Sequence, residues 1–185
     1  EGLCMDAEKE KQRRHRDTAE WLEELLFAFV LIVLLYTFLF RVISVSGSSM
    51  ATTLNDTDRV VVQCAGYKPD YGDIIVVDSY SSYGKPLVKR IIAMEGDMVD
   101  IDFSTGEVSV NGEILSEPYT STGTTVQHDV AFPLTVDEGC VFVLGDNRSV
   151  SLDSRSSEVG LIDVRDILGK AVLRIYPFKE FGAIK

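Results

Sequence analysis

Residues 25–40 read LLFAFVLIVLLYTFLF, sixteen positions without a charged side chain. A helix rises about 1.5 Å per residue, so this run spans roughly 24 Å, against a hydrocarbon core about 30 Å thick. Val42 and Ile43 lengthen the stretch if Arg41 snorkels to the headgroups. The reading is one membrane-spanning helix over residues 25–43, with a charged segment at 1–24 before it and a separate domain at 44–185 after it. Two other readings fit a lone apolar run. A buried core helix would carry a polar stripe, and this run has none. A cleavable leader has an apolar region of about 7–15 residues, and Ser44-Val45-Ser46 places small residues where such a leader would be cut.

The charges partition around the run. The chain of 185 residues carries 18 Lys and Arg against 29 Asp and Glu, a net charge of −11. Residues 1–24 hold 8 acidic and 5 basic side chains, and residues 41–185 hold 21 and 13. Mean hydropathy is nevertheless +0.10, because the apolar residues are concentrated in one place. The acidic excess argues against a nucleic-acid partner, since phosphate contacts need clustered cations. A single apolar run excludes a multi-span channel or transporter. Five Lys and Arg lie within residues 9–16, whereas only Arg41 and Arg59 fall in the twenty residues after the run. The positive-inside rule puts the N-terminus in the cytoplasm and the later domain outside. The segment up to Trp21 is expected to be helical.

The outer domain reads as mainly β. RVVVQ (59–63), DIIVVDSY (73–80), LVKRIIAM (87–94), MVDID (98–102), EVSV (107–110), CVFVL (140–144) and KAVLRIY (170–176) are rich in Val and Ile. Asn111-Gly112 is a two-residue hairpin signal, and Ser104-Thr105-Gly106 a tight turn. Helical periodicity outside the span is weak and confined to 161–168. The polar, Thr-rich segment Tyr119–Asp129 reads as a surface loop. Cys64 and Cys140 fall in the same domain, but pairing cannot be deduced from sequence. No Cys/His spacing suggests a metal, and no cofactor is expected. His128 lies in the polar loop, where a solvated role is the simpler reading.

Three clusters can carry chemistry. Ser44–Leu54, rich in Ser, Gly and Thr, is by itself an ordinary linker. Lys89 sits inside an apolar strand, and strand alternation alone allows it a solvated face. Gly145–Arg155, GDNRSVSLDSR, follows a strand and is dense in polar groups; alone it is a charged loop.

Together they resemble the bacterial type I signal peptidases (leader peptidases), membrane-anchored serine proteases with a Ser/Lys dyad. The family's Ser-Met-x-Pro-Thr-Leu is matched by Ser49-Met50-Ala51-Thr52-Thr53-Leu54, except that Thr52 stands where proline is usual. Its Lys-Arg pair followed by Gly-Asp-x-Val is matched by Lys89-Arg90 and Gly96-Asp97-Met98-Val99. Its Gly-Asp-Asn-Arg-x-x-Ser-x-Asp-Ser-Arg is matched at all eight specified positions of 145–155. Tyr71-Gly72-Asp73-Ile74, Gly160 and Gly169 fit as well, so the likeness runs from about residue 25 to 176.

The resemblance implies a β-rich catalytic fold of the signal-peptidase and LexA kind behind one transmembrane helix. It assigns Ser49 as nucleophile, Lys89 as general base and Ser151 as the hydroxyl that orients the Lys amine. It pairs Asp146 with Arg90 and Asp153 with Arg155, and gives the oxyanion the Ser49 backbone N–H. Val88 is a candidate for the substrate pocket. A second, side-chain oxyanion donor would come from position 47, which is glycine here. The implied reaction is removal of signal peptides from exported preproteins after small-x-small sites, beside the export translocon and in contact with membrane lipids. The chemistry is consistent with the residue types: without a suitably placed His, a Ser needs another base, and burial among Leu87, Val88, Ile91 and Ile92 would favour the neutral amine. Thr52 is expected to loosen the segment after the nucleophile, because proline stiffens a turn. Ser82-Tyr83-Gly84-Lys85 also fits the S-x-x-K of penicillin-binding enzymes, but the companion S-D-N and K-T-G motifs are missing. A LexA-type autoprotease has no span, and endomembrane signal peptidases use His in place of Lys. A membrane-anchored binding domain explains the span and strands, but not Lys89 together with 145–155.

Overall fold

The computed structural model describes residues 2–78 and 83–184, with side chains from Glu20 onward; Ser82 of the S-x-x-K match lies outside the described residues. The chain divides at Leu39 into an N-terminal helix and a β-domain. Helix α1 runs without a break over Gly2–Leu39. Its second half, Glu20–Leu39, has a mean hydropathy of 2.3 and is long and apolar enough to cross a membrane.

Helix and apolar run do not end together. Phe40–Ser44 form strand β1 rather than a last helical turn, so Val42 and Ile43, expected in a helix over 25–43, belong to the β-domain. The β-branched pair finds backbone partners in the next strand, β2 (Arg59–Gln63), with Val42 opposite Val61 and Ile43 opposite Val60. The remaining strands are β3 (Ile74–Val77), β4 (Leu87–Met94), β5 (Met98–Asp102), β6 (Glu107–Val110), β7 (Glu113–Ile114), β8 (Leu134–Thr135), β9 (Cys140–Leu144), β10 (Ile162–Asp163), β11 (Ile167–Tyr176) and β12 (Gly182–Ala183). The main sheet has the order β1-β2-β11-β3-β4-β9-β10, with β12 on β11; the smaller one is β7-β6-β5-β8. All pairings are antiparallel. The domain is thus β-rich behind one apolar helix. The weak helical pattern at 161–168 resolves into β10, one 3-10 turn at Val164–Asp166 and the start of β11.

Burial separates two kinds of strand. In β5, Val99 and Ile101 are buried while Met98, Asp100 and Asp102 are exposed, the alternation of a strand with one wet face. In β3 and in most of β4 and β9, successive residues are all buried. Strand β4 lies between β3 and β9 and is covered on both faces, so neither face offers Lys89 to solvent. At Asn111-Gly112, φ is +54° and +83°, the signature of a two-residue hairpin turn. Gly169 marks a close approach: a Cβ there would lie 2.1 Å from the Gln63 carbonyl oxygen on β2. Cys64 and Cys140 are both free thiols.

Candidate active site

Ser49 sits in a series of turns between β1 and β2, over Gly47–Leu54. Met50 and Leu54 anchor these turns in the core beside Val45, Val60 and Val62. The Thr53 and Leu54 N–H groups both donate to the Met50 carbonyl, at 3.0 and 2.8 Å. Strand β4 brings Lys89 to the same place. Lys89 is 2% exposed; its Nζ donates to Ser49 Oγ at 2.9 Å and to the Val88 carbonyl at 3.1 Å. Burial lowers the Lys89 pKa to about 8, opposed by the negative fields of Asp153 and Asp146 and assisted by Arg155. Among the described residues no carboxylate stands within ion-pair distance of that amine.

The 145–155 loop follows β9 and treats its cations differently. The Arg90 guanidinium is forked onto Asp146 (Nε to Oδ1 2.9 Å, Nη2 to Oδ2 2.7 Å) and donates to the Gly72 carbonyl at 2.7 Å. Arg155 donates to Asp153 at 2.8 and 3.0 Å and to the carbonyls of Val126, Arg148 and Ser151. Arg148 reaches the Gly145 carbonyl, Glu117 and the Thr124 hydroxyl. All three guanidiniums are buried, and the charge that desolvation would penalise is met by carboxylates and carbonyls.

The loop also grips Ser49. The Asn147 N–H donates to the Ser49 carbonyl at 2.9 Å, and Asn147 Nδ2 to the Ser48 carbonyl at 3.1 Å. Gly145 makes that approach possible: a Cβ on it would fall 2.2 Å from Ser151 Oγ and 2.5 Å from the Ser49 carbonyl oxygen. Ser151 is therefore beside the Ser49 segment, but its buried Oγ makes no hydrogen bond. The expected Ser151–Lys89 bond is not formed; Lys89 spends its donors on Ser49 and Val88 instead. Val88 packs on the cluster beneath Ser49. A cleft of about 630 Å³, lined by residues such as Tyr71, Ile92, Leu115 and Tyr119, includes none of Ser49, Val88 and Lys89. His128 is half-buried in its loop and takes no part in the Ser49–Lys89 contact.

Two expectations change here. The Tyr119–Asp129 segment is more than a surface loop: Thr124 is fully buried, and the Tyr119 ring lies 4.0 Å beneath the Arg90 guanidinium carbon. Thr52, expected to loosen its turn, is tied down. Its hydroxyl donates to the Tyr119 carbonyl at 2.6 Å, and its φ of +105° is closed to proline. Asn147, Glu117, Tyr119 and Thr53, whose hydroxyl donates to Asp146 Oδ2, were not singled out from sequence. Asn147 and Thr53 stood inside matched motifs, whereas nothing in the sequence marks Glu117 or Tyr119.

A serine hydroxyl against a buried, unpaired lysine, on a β-scaffold, is the arrangement of a serine hydrolase. The sequence pattern of the family described as Signal peptidase, peptidase S26, matches residues 18–176. Signal peptidase I of Bacillus amyloliquefaciens is 34% identical over 98% of this chain and 100% of its own length. Signal peptidase IB of Staphylococcus aureus is 34% identical over 90% of this chain and 93% of its own. A crystal structure of a signal peptidase I from Enterococcus faecalis V583 aligns at 30% identity and a TM-score of 0.44, covering 56% of this chain and 97% of that one. The chain belongs to the signal peptidase family S26, whose members are serine endopeptidases.

Proposed function

We propose that the chain is a membrane-anchored endopeptidase that removes signal peptides from exported preproteins after small-x-small sites, with Ser49 as nucleophile and Lys89 as general base. The observation that carries this reading is the 2.9 Å contact between Ser49 Oγ and a Lys89 Nζ that is 2% exposed. The neutral amine takes the Ser49 proton as Oγ attacks the scissile carbonyl carbon. The resulting ammonium returns that proton to the leaving amine nitrogen as the C–N bond breaks. Water then attacks the acyl ester, Lys89 accepts its proton, and the proton passes back to Ser49 Oγ. The Ser49 N–H, free of any acceptor among the described residues, is left to stabilise the oxyanion. The Gly47 N–H is committed to Asp56 at 2.9 Å, so it is no second donor.

The apolar helix Glu20–Leu39 supports anchoring. The basic cluster at residues 9–16 supports a cytoplasmic N-terminus and a β-domain outside the cell membrane. Ser49 follows Leu39 by ten residues, a tether suited to substrates whose cleavage site emerges just past their own apolar segment. Preproteins delivered beside the translocon, within a lipid surface, are the implied partners. The test is cleavage of a preprotein by the detergent-solubilised protein, with sequencing of the new N-terminus. The expected cut follows small residues at −1 and −3. No cleavage, or cleavage at unrelated sites, overturns the reading.

A further inference from the structure

Thr52 is the oddest residue of the nucleophile turn. It is β-branched, exposed and held at φ +105°, a conformation that such residues avoid unless their surroundings enforce it. The enforcing contact is the Thr52 hydroxyl on the Tyr119 carbonyl at 2.6 Å. Tyr119 belongs to a segment that is itself fixed to the catalytic loop. Its hydroxyl donates to Glu117 at 2.9 Å, and Glu117 takes a double contact from Arg148. Thr124 accepts from Arg148, and the Val126 carbonyl accepts from Arg155. The segment 117–126 thus straps the nucleophile turn to the loop that carries Asp146, Ser151 and Asp153, and its Tyr119 ring covers Arg90, the neighbour of Lys89.

We infer that Thr52 is a positioning residue for the reaction: its hydroxyl holds the Ser49 turn in a strained conformation by tying it to the 117–126 strap. The inference rests on the Ser49–Lys89 reading. Without the tie the turn relaxes, Ser49 withdraws from Lys89, and water reaches an amine that feels the charges of Asp153, Asp146 and Arg155.

The experiment compares Thr52→Val, which keeps the shape and loses the hydroxyl, with Thr52→Ser, which keeps the hydroxyl. Loss of one hydrogen bond predicts a fall in kcat of about fivefold for Thr52→Val, with KM little changed. The acid limb of its pH profile should move to higher pH, and Thr52→Ser should restore both. A purely structural role would lower Tm without moving that limb. In parallel, amide exchange at Thr53 and Leu54 is expected to quicken several-fold in Thr52→Val and to return in Thr52→Ser. This second arm reads the tie whether or not peptide is cut, so its outcome is separable from failure of the peptidase reading. Unchanged exchange in Thr52→Val, or equal losses of kcat in both variants, overturns the inference.

Discussion

Lys89 and the three arginines around it are all buried cations within one small region, yet the fold treats them in opposite ways. Arg90, Arg148 and Arg155 are each met by a carboxylate, Asp146, Glu117 and Asp153, and by one or more backbone carbonyls. Among the described residues Lys89 meets only a hydroxyl and a carbonyl oxygen. Desolvation that is compensated makes a scaffold; desolvation left uncompensated displaces a pKa, as the proposed base requires. The choice of residue follows, since a guanidinium stays charged in any surroundings while an amine can be neutralised. Adjacent positions on one strand, 89 and 90, carry the two outcomes.

The sharpest way to break this contrast is to remove its uncompensated member. Ser49→Ala or Lys89→Ala is expected to lower preprotein cleavage by about 10⁴–10⁶-fold, the range for loss of a catalytic serine, its base or the base's partner. Lys89→Arg should not restore it, because a guanidinium cannot act as a base near neutral pH. Substantial activity in Lys89→Arg would contradict the assigned role.

The compensated side is broken through stability. Asp146→Leu takes the carboxylate from a buried Arg90 and should cost about 3–5 kcal/mol in denaturant unfolding. The paired replacement of Arg90 by Met and Asp146 by Leu should recover much of that, giving a large coupling term in a double-mutant cycle. Additive single effects would show that the pair is not a unit.

Gly145→Ala probes the contact between the two regions. Its Cβ would need the space held by Ser151 Oγ and the Ser49 carbonyl, so Ser49 must move, and a shift of that kind can cost about 10²-fold in rate. Wild-type kcat would mean that the loop does not position Ser49.

A smaller effect concerns folding. Because the folded Lys89 pKa of about 8 lies below its ordinary 10.5, the buried ammonium costs stability fully below pH 8. That cost fades as pH rises from 8 to 10.5. Lys89→Met should therefore be stabilised relative to wild type at neutral pH, with the gap closing in alkali. A pH-independent gap would place the titration elsewhere.

Much of this arrangement was legible in the sequence, and the omissions have physical causes. Five strand segments, 59–63, 87–94, 98–102, 107–110 and 140–144, were read with the bounds that the structure gives, because β-branched runs flanked by turn residues signal themselves. The two-residue strands β8, β10 and β12 were missed, since two residues carry no period. Residues 40–43 read as the end of the helix because their apolar side chains continue the run; only pairing with β2 decides otherwise. Ser49, Lys89 and the 145–155 loop stood out through motif likeness. Lys89 alone was ambiguous, as burial on both faces of β4 depends on its neighbours in the sheet. The 117–126 strap was opaque because its bonds reach residues far along the chain, two of them through backbone carbonyls.

The most direct test of the contrast is the pH dependence of kcat/KM for preprotein cleavage, which reports the ionisation of the free enzyme. An unpaired, desolvated Lys89 predicts activity that rises with pH to a half-maximum near 8, in line with its lowered pKa of about 8. An acid limb at the ordinary lysine value of about 10.4, or a flat profile from mildly acidic to alkaline pH, would contradict it.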